Sequence, residues 1–147
     1  LFRSHSMATY YMNEAAFDLP DLGFVDRTVT YLEAKAPSGA DLVLVVERQP
    51  VPRGKSLRDL VVGHVADARK RMRGYSVLYE REAELVSGPA IDLGIRWRDE
   101  NGMMYSRHTH LTIGSTWLIV AGEVPLEERE VCDGYVDHVL GTLRLAV

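Results

Sequence analysis

Leu42-Val43-Leu44-Val45-Val46 is an unbroken apolar run in a chain whose other strand-like stretches mostly alternate. Successive side chains of a strand point to opposite faces, so a five-residue apolar run is hydrophobic on both sides. One side can be covered by the chain's own helices. The other calls for a second layer, a second copy or a bound apolar ligand. By alternation Val43 and Val45 share a face with Glu47, and Leu44 and Val46 are expected to meet the helices.

Upstream of that run, residues 28–33 are β-branched and aromatic and read as a strand, turned by Pro37-Ser38-Gly39. Two short strand-like pieces precede it, at 10–13 and 16–19, closed by Pro20. Downstream, Pro50, Pro52 and Gly54 stop the apolar strand. Ser56 is then placed to cap a helix, with Asp59 complementing the positive end of its dipole. Leu57, Leu60, Val61, His64, Val65, Ala68 and Met72 follow helical spacing, and Gly74 ends the helix. Arg69, Lys70, Arg71 and Arg73 cluster at its negative end, where a solvated terminus explains them better than a phosphate site.

A meander follows. Residues 75–86 form a long strand turning at Ser87-Gly88-Pro89, and 90–98 alternate Ile91, Leu93, Ile95 and Trp97 against Asp92, Gly94, Arg96 and Arg98. Asn101-Gly102 marks a tight hairpin, 104–113 return, and Gly114-Ser115-Thr116 leads into 117–124. A last helix over 127–140 turns Val131, Tyr135, Val136, Val139 and Leu140 inward, with room for a short tail strand. The fold class expected is α+β: a mostly antiparallel twisted sheet with two helices packed on one face, leaving the opposite face free to bind.

The chain has 147 residues, 46% hydrophobic and 26% charged, enough for one domain with a core that needs no metal or disulfide. A net charge of −4 argues against a general attraction to nucleic acid or an anionic membrane surface. Cys132 is alone, so no intramolecular disulfide is possible, which fits a reducing compartment, and a buried structural thiol is expected. No run approaches membrane-spanning length and no leader pattern is present. Residues 1–6 do not look native and read as an expression remnant, with Met7 as the expected start and 7–147 as a single domain. The expected location is the cytoplasm.

Chemistry is sparse. His108-Thr109-His110 puts two imidazoles on one strand face, a spacing that can chelate zinc, but no Cys or carboxylate has a supporting spacing. No metal and no cofactor are expected, since histidines on half-buried strands are commoner than ligands. His64 lies in the first helix's apolar stripe and reads as a satisfied core or interface histidine, and His138 is expected on an exposed flank. There is no Gly-x-Ser-x-Gly elbow, and Gly54-Lys55-Ser56 lacks the upstream glycine of a phosphate loop. Glu80, Glu82 and Glu84, and Glu127, Glu128 and Glu130, are explained by solvation and dipole complementation. No catalytic residue is assigned, and a binding module is expected rather than an enzyme.

The order of residues adds a resemblance. Tyr11-Met12-Asn13-Glu14-Ala15-Ala16-Phe17-Asp18-Leu19-Pro20, then Asp26-Arg27-Thr28-Val29-Thr30, resembles the opening of DcrB-like, PsbP-fold domains. The apolar strand with Gly54, the helix closed by Gly74-Tyr75, and Gly88-Pro89-Ala90 before a strand ending in Trp97 continue the pattern. The likeness spans nearly all of 7–147 and rests on the order of individually weak motifs. Within that fold the chain is most similar to the Eag chaperones of bacterial type VI secretion. This resemblance implies a homodimer that shields the N-terminal transmembrane helices of a PAAR- or Rhs-type effector before export. Phe24 stands where that family usually has Trp, Ser106 where glutamine is common, and Arg107 with His108 and His110 makes the strand unusually basic.

A transmembrane helix in water exposes an apolar cylinder whose burial is worth about 25 cal/mol per Å². A sheet face can shield it while a few polar groups set register. The candidate partner-binding residues are Val43 and Val45, with Val29 and Tyr31 placed beside them by the resemblance. To these are added His64, Ala68 and Met72 at one-turn spacing, and Met104, Ser106 and His108 on one strand face. Core packing or a homodimer seam would account for the same residues. Two rival functions stay open: a small-molecule-binding or metal-assisted enzyme using the His108/His110 face, and a non-catalytic PsbP-like assembly subunit. Neither nucleic acid nor direct membrane anchoring is expected.

Overall fold

Seven residues of strand β3 (Val29–Lys35) pair antiparallel with β4 (Asp41–Pro50), the strand that carries the apolar run and stops at its first proline. Helix α1 (Leu57–Arg71) then carries the chain across the sheet to its far edge. From there a meander of β5 (Arg73–Leu85), β6 (Gly88–Asp99), β7 (Gly102–Ile113) and β8 (Thr116–Pro125) walks back until β8 pairs with β4. The sheet is therefore six-stranded and antiparallel in the order β3-β4-β8-β7-β6-β5. A 3-10 turn over Leu126–Glu128 leads into α2 (Arg129–Gly141). A separate hairpin, β1 (Ala8–Tyr11) with β2 (Ala16–Leu19), precedes the sheet. The structure is a computed structural model that describes residues 8–146; residues 1–6 and Met7, read above as a remnant and a start, lie outside them.

Local chemistry explains the boundaries. The Ser56 hydroxyl accepts from the Asp59 amide at 3.1 Å while the Asp59 carboxylate accepts from the Ser56 amide at 3.1 Å, a reciprocal cap at the start of α1. The β6–β7 hairpin turns at Gly102, whose φ of +140° needs a residue without a side chain. No regular structure follows α2 over residues 143–146, so the tail strand does not form.

The two helices take opposite faces of the sheet, which corrects the expectation of one shared face. Register places Ile91, Leu93, Ile95, Ile119 and His108 on one face, where Leu60 and Val61 of α1 pack. Tyr105, Arg107, Leu118, Val120 and Val124 lie on the other, under Cys132, Val136, Val139 and Leu140 of α2. Gly122 allows this close approach, since a Cβ there would sit 2.7 Å from both Cys132 Sγ and Val136 Cγ2. The alternation of β6 misleads because Asp92 reads as a solvent residue yet is 1% exposed, neutralised by an equally hidden Arg107. Val131, expected inward, is on the exposed flank of α2, and Cys132 takes its place in the core. Burial pushes the Cys132 thiol up to about 12, so it is an unreactive packing group.

Candidate functional site

The helices cover the sheet unequally. α1 packs on β5, β6 and β7 and, through Leu60, on Trp117 and Ile119 of β8; among the described residues no helix packs closely on the β3–β4 end of that face. On that uncovered end, register aligns Val29 with Glu47, Tyr31 with Val45 and Glu33 with Val43, and continues Val43 to Glu123 and Val45 to Ala121. Val43, Val45, Glu47 and Glu123 are half-buried, whereas Val29 and Tyr31 are both 56% exposed. Leu44 and Val46 point the other way, into the cluster with Val139, Leu140 and Leu143. The apolar run is thus split by the pleat: one side is roofed by α2, the other opens beside α1.

The remaining sequence candidates are not all at this strip: Met72 caps the end of α1 beside the start of β5, at the opposite edge of the sheet. His64, Met72 and Met104 are half-buried, and Ser106 and His108 stand on the same sheet face as Val43 and Val45. Ala68, Ser106 and His108 are buried, so they pack inside the fold and do not line the open strip. The Ser106 hydroxyl accepts the Trp97 indole N–H at 2.8 Å, which accounts for both polar groups. Glu123 is held above the usual carboxylate range, first by burial and then by the charge of Glu47. The face therefore combines an aliphatic and tyrosine strip with two carboxylates and an imidazole.

Sequence reasoning missed His64 as a companion of the strand pair. From α1, its ring meets those of His110 and His108 at centroid distances of 5.0 and 5.5 Å. One ring nitrogen from each of the three lies within 4.8 Å of the others. The sequence offered no Cys or carboxylate at a supporting spacing; the helix packed over the strand brings a third imidazole instead, from 44 positions or more away in the chain. Burial drives His108 down to about 3 and His110 to about 2, so both rings are neutral. Nδ1 of His108 and Nε2 of His110 are buried without a hydrogen-bond partner among the described residues, each costing about 1–3 kcal/mol. His138 is exposed on α2, away from this group. The only signal in the sequence was the place of His64 on the inner stripe of α1.

The opposite face holds a second polar centre that the sequence did not suggest. Arg107 donates to both Asp92 oxygens at 3.0 Å, Thr109 donates to Asp92 at 3.0 Å, and Arg81 adds a contact at 2.9 Å. Arg107 also reaches Asp137 on α2 at 2.7 Å. These groups satisfy one another and form a structural tie between sheet and helix.

The same architecture occurs elsewhere. The chain is similar in structure to the Pseudomonas aeruginosa protein of unknown function PA94, with a TM-score of 0.83 at 18% identity over 96% of this chain and 98% of that one. It is also similar to LpqN of Mycobacterium tuberculosis, involved in cell envelope biogenesis, with a TM-score of 0.57 at 10% identity over 81% and 80%. Cyanobacterial PsbP from Synechocystis gives 0.54 at 13% identity over 97% and 94%, which establishes the PsbP-like fold. No curated protein sequence matches the chain. Residues 14–140 match the DcrB family, and the chain belongs to it.

Proposed function

We propose that this protein is a non-catalytic binding protein, a homodimeric cytoplasmic chaperone that shields the apolar N-terminal segment of a type VI secretion effector. The observation that carries the reading is the strip of Val29, Tyr31, Val43 and Val45 at the β3–β4 end of the sheet face that α1 covers elsewhere. A bound helix laid on it would remove apolar surface from water on both partners, worth about 25 cal/mol per Å². Glu47, Glu123 and His64 at its margin can hydrogen-bond the few polar groups that such a segment carries. The order of motifs resembling the Eag chaperones supports the effector as partner, and membership of the DcrB family supports a binding role on this fold.

Co-expression with the apolar N-terminal segment of a PAAR- or Rhs-type effector encoded beside this chain tests the reading. The pair is expected to co-purify, and Val43→Asp with Val45→Asp to abolish capture while circular dichroism stays native. Capture unaffected by both changes would remove the strip from the mechanism. The likeness to LpqN supports a coarser second reading, an envelope-associated binding protein. Cell fractionation separates the two, since a periplasmic pool cannot meet an effector before export.

A further inference from the structure

His64, His108 and His110 converge where α1 crosses β7. His108 and His110 share a strand face, and His64 descends onto them from the helix. Their nitrogens lie within 4.8 Å of one another, and two of those rings hide an unpartnered nitrogen. We propose that these three imidazoles form a binding site for one zinc-class divalent ion that ties α1 to the sheet.

Zinc takes nitrogen ligands at about 2.0–2.1 Å in a tetrahedral arrangement, and three histidines leave a fourth position for water. Nitrogens spread over 4.8 Å are wider apart than in such a site, so the rings have to close on the ion as it binds. Metal ligation requires unprotonated nitrogens, and the two strand imidazoles are buried, where a charged ring is disfavoured. Glu47, on the same sheet face, contributes negative potential at His64. A donor set of imidazoles alone suits zinc, copper and nickel rather than magnesium or calcium.

Trp117 gives the site a particular chemistry. Its indole N–H donates to Nδ1 of His110 at 3.2 Å, which leaves that ring's proton on Nε2, the nitrogen without a partner. Ligation through Nε2 displaces that proton, and a neutral ring must then carry it on Nδ1, facing the indole donor. The Trp117 contact therefore opposes the ion and has to yield when it binds. The site does not depend on what occupies the neighbouring apolar strip.

Isothermal titration of the chelator-stripped full chain with Zn²⁺, paired with thermal melts, tests the assignment. One ion per chain and a raised Tm are expected, because a ligand that binds only the folded state stabilises it. His64→Ala and His108→Ala should each weaken binding by about 100-fold or more, against about 10–100-fold for loss of a mere supporting contact. His138→Ala should leave it unchanged. Trp117→Phe removes the opposing donor and should tighten binding several-fold. The proposal is overturned if the wild type binds zinc no more tightly than His64→Ala, a helix-compatible change that keeps the test valid should His108→Ala fail to fold. Retention of one ion per chain by His108→Ala, or loss of binding by a folded Trp117→Phe, would overturn it as well.

Discussion

Single residues show where this fold concentrates its electrostatic cost. Arg107 is 3% exposed and Asp92 1%, and they neutralise one another as a buried pair, with Arg81 and Asp137 added at its margins. Removing one partner of a buried pair leaves an uncompensated charge, typically a loss of about 3–5 kcal/mol, whereas a matched apolar pair can be neutral. Asp92→Ala is therefore expected to cost about 3 kcal/mol in urea unfolding, tempered by the remaining Asp137 contact. Asp92→Leu combined with Arg107→Met should recover most of it. A loss below about 1 kcal/mol would show that α2's carboxylates hold the arginine alone. Glu123 carries a cost with the opposite pH signature. Its folded carboxyl titrates above the ordinary 4.5, so between 4.5 and the raised value the native state binds more protons than the unfolded chain. Stability from this group is fully present below 4.5 and is lost as pH rises through the folded value. Glu123→Gln should accordingly raise Tm near neutrality and change it little in acid; equal effects at both would refute the burial argument.

At the scale of elements, β4 is the informative strand because its two faces have different fates. Leu44 lies under α2 with Val139 and Leu140, and Val43 lies on the side that α1 leaves open. Leu44→Asp buries an unpaired charge and is expected to unfold the domain, whereas Val43→Asp should fold and lose only the apolar partner. Circular dichroism and capture of the effector segment, measured on both, check this. Unfolding of Val43→Asp with a folded Leu44→Asp would mean that the faces are exchanged, as a one-residue slip in register does. α1 has two tasks at once: its stripe of Leu60 and Val61 fills the core, and one turn further on His64 reaches β7.

For the whole molecule, the sheet ends at β3, every residue of which is exposed, with Val29, Tyr31 and Leu32 among them. An edge strand with apolar residues on both faces invites pairing with another chain. The expected assembly is an isologous homodimer at micromolar concentration, measurable by light scattering. A mass corresponding to a single chain throughout that range would weigh against the chaperone reading.

Periodicity alone was enough for the class of this protein and most of its elements. The apolar run, the Ser56 cap, the Asn101-Gly102 turn and the helical stripes are local signals, and local hydrogen bonding and side-chain alternation produce the corresponding strands, turn and helices. The split of β4 into a covered and an open face was equally legible, because alternation is a property of one strand. What the tertiary structure decided is everything that depends on two distant segments meeting. Asp92 reads as a surface residue until Arg107 is seen beside it on the neighbouring strand, and that misreading hid the second covered face and put both helices on one side. His64 reads as a core residue until the helix is laid over His108 and His110. A buried charge pair and a cluster of imidazoles have no period along the chain; each exists only once the sheet register and the helix packing bring its members within reach.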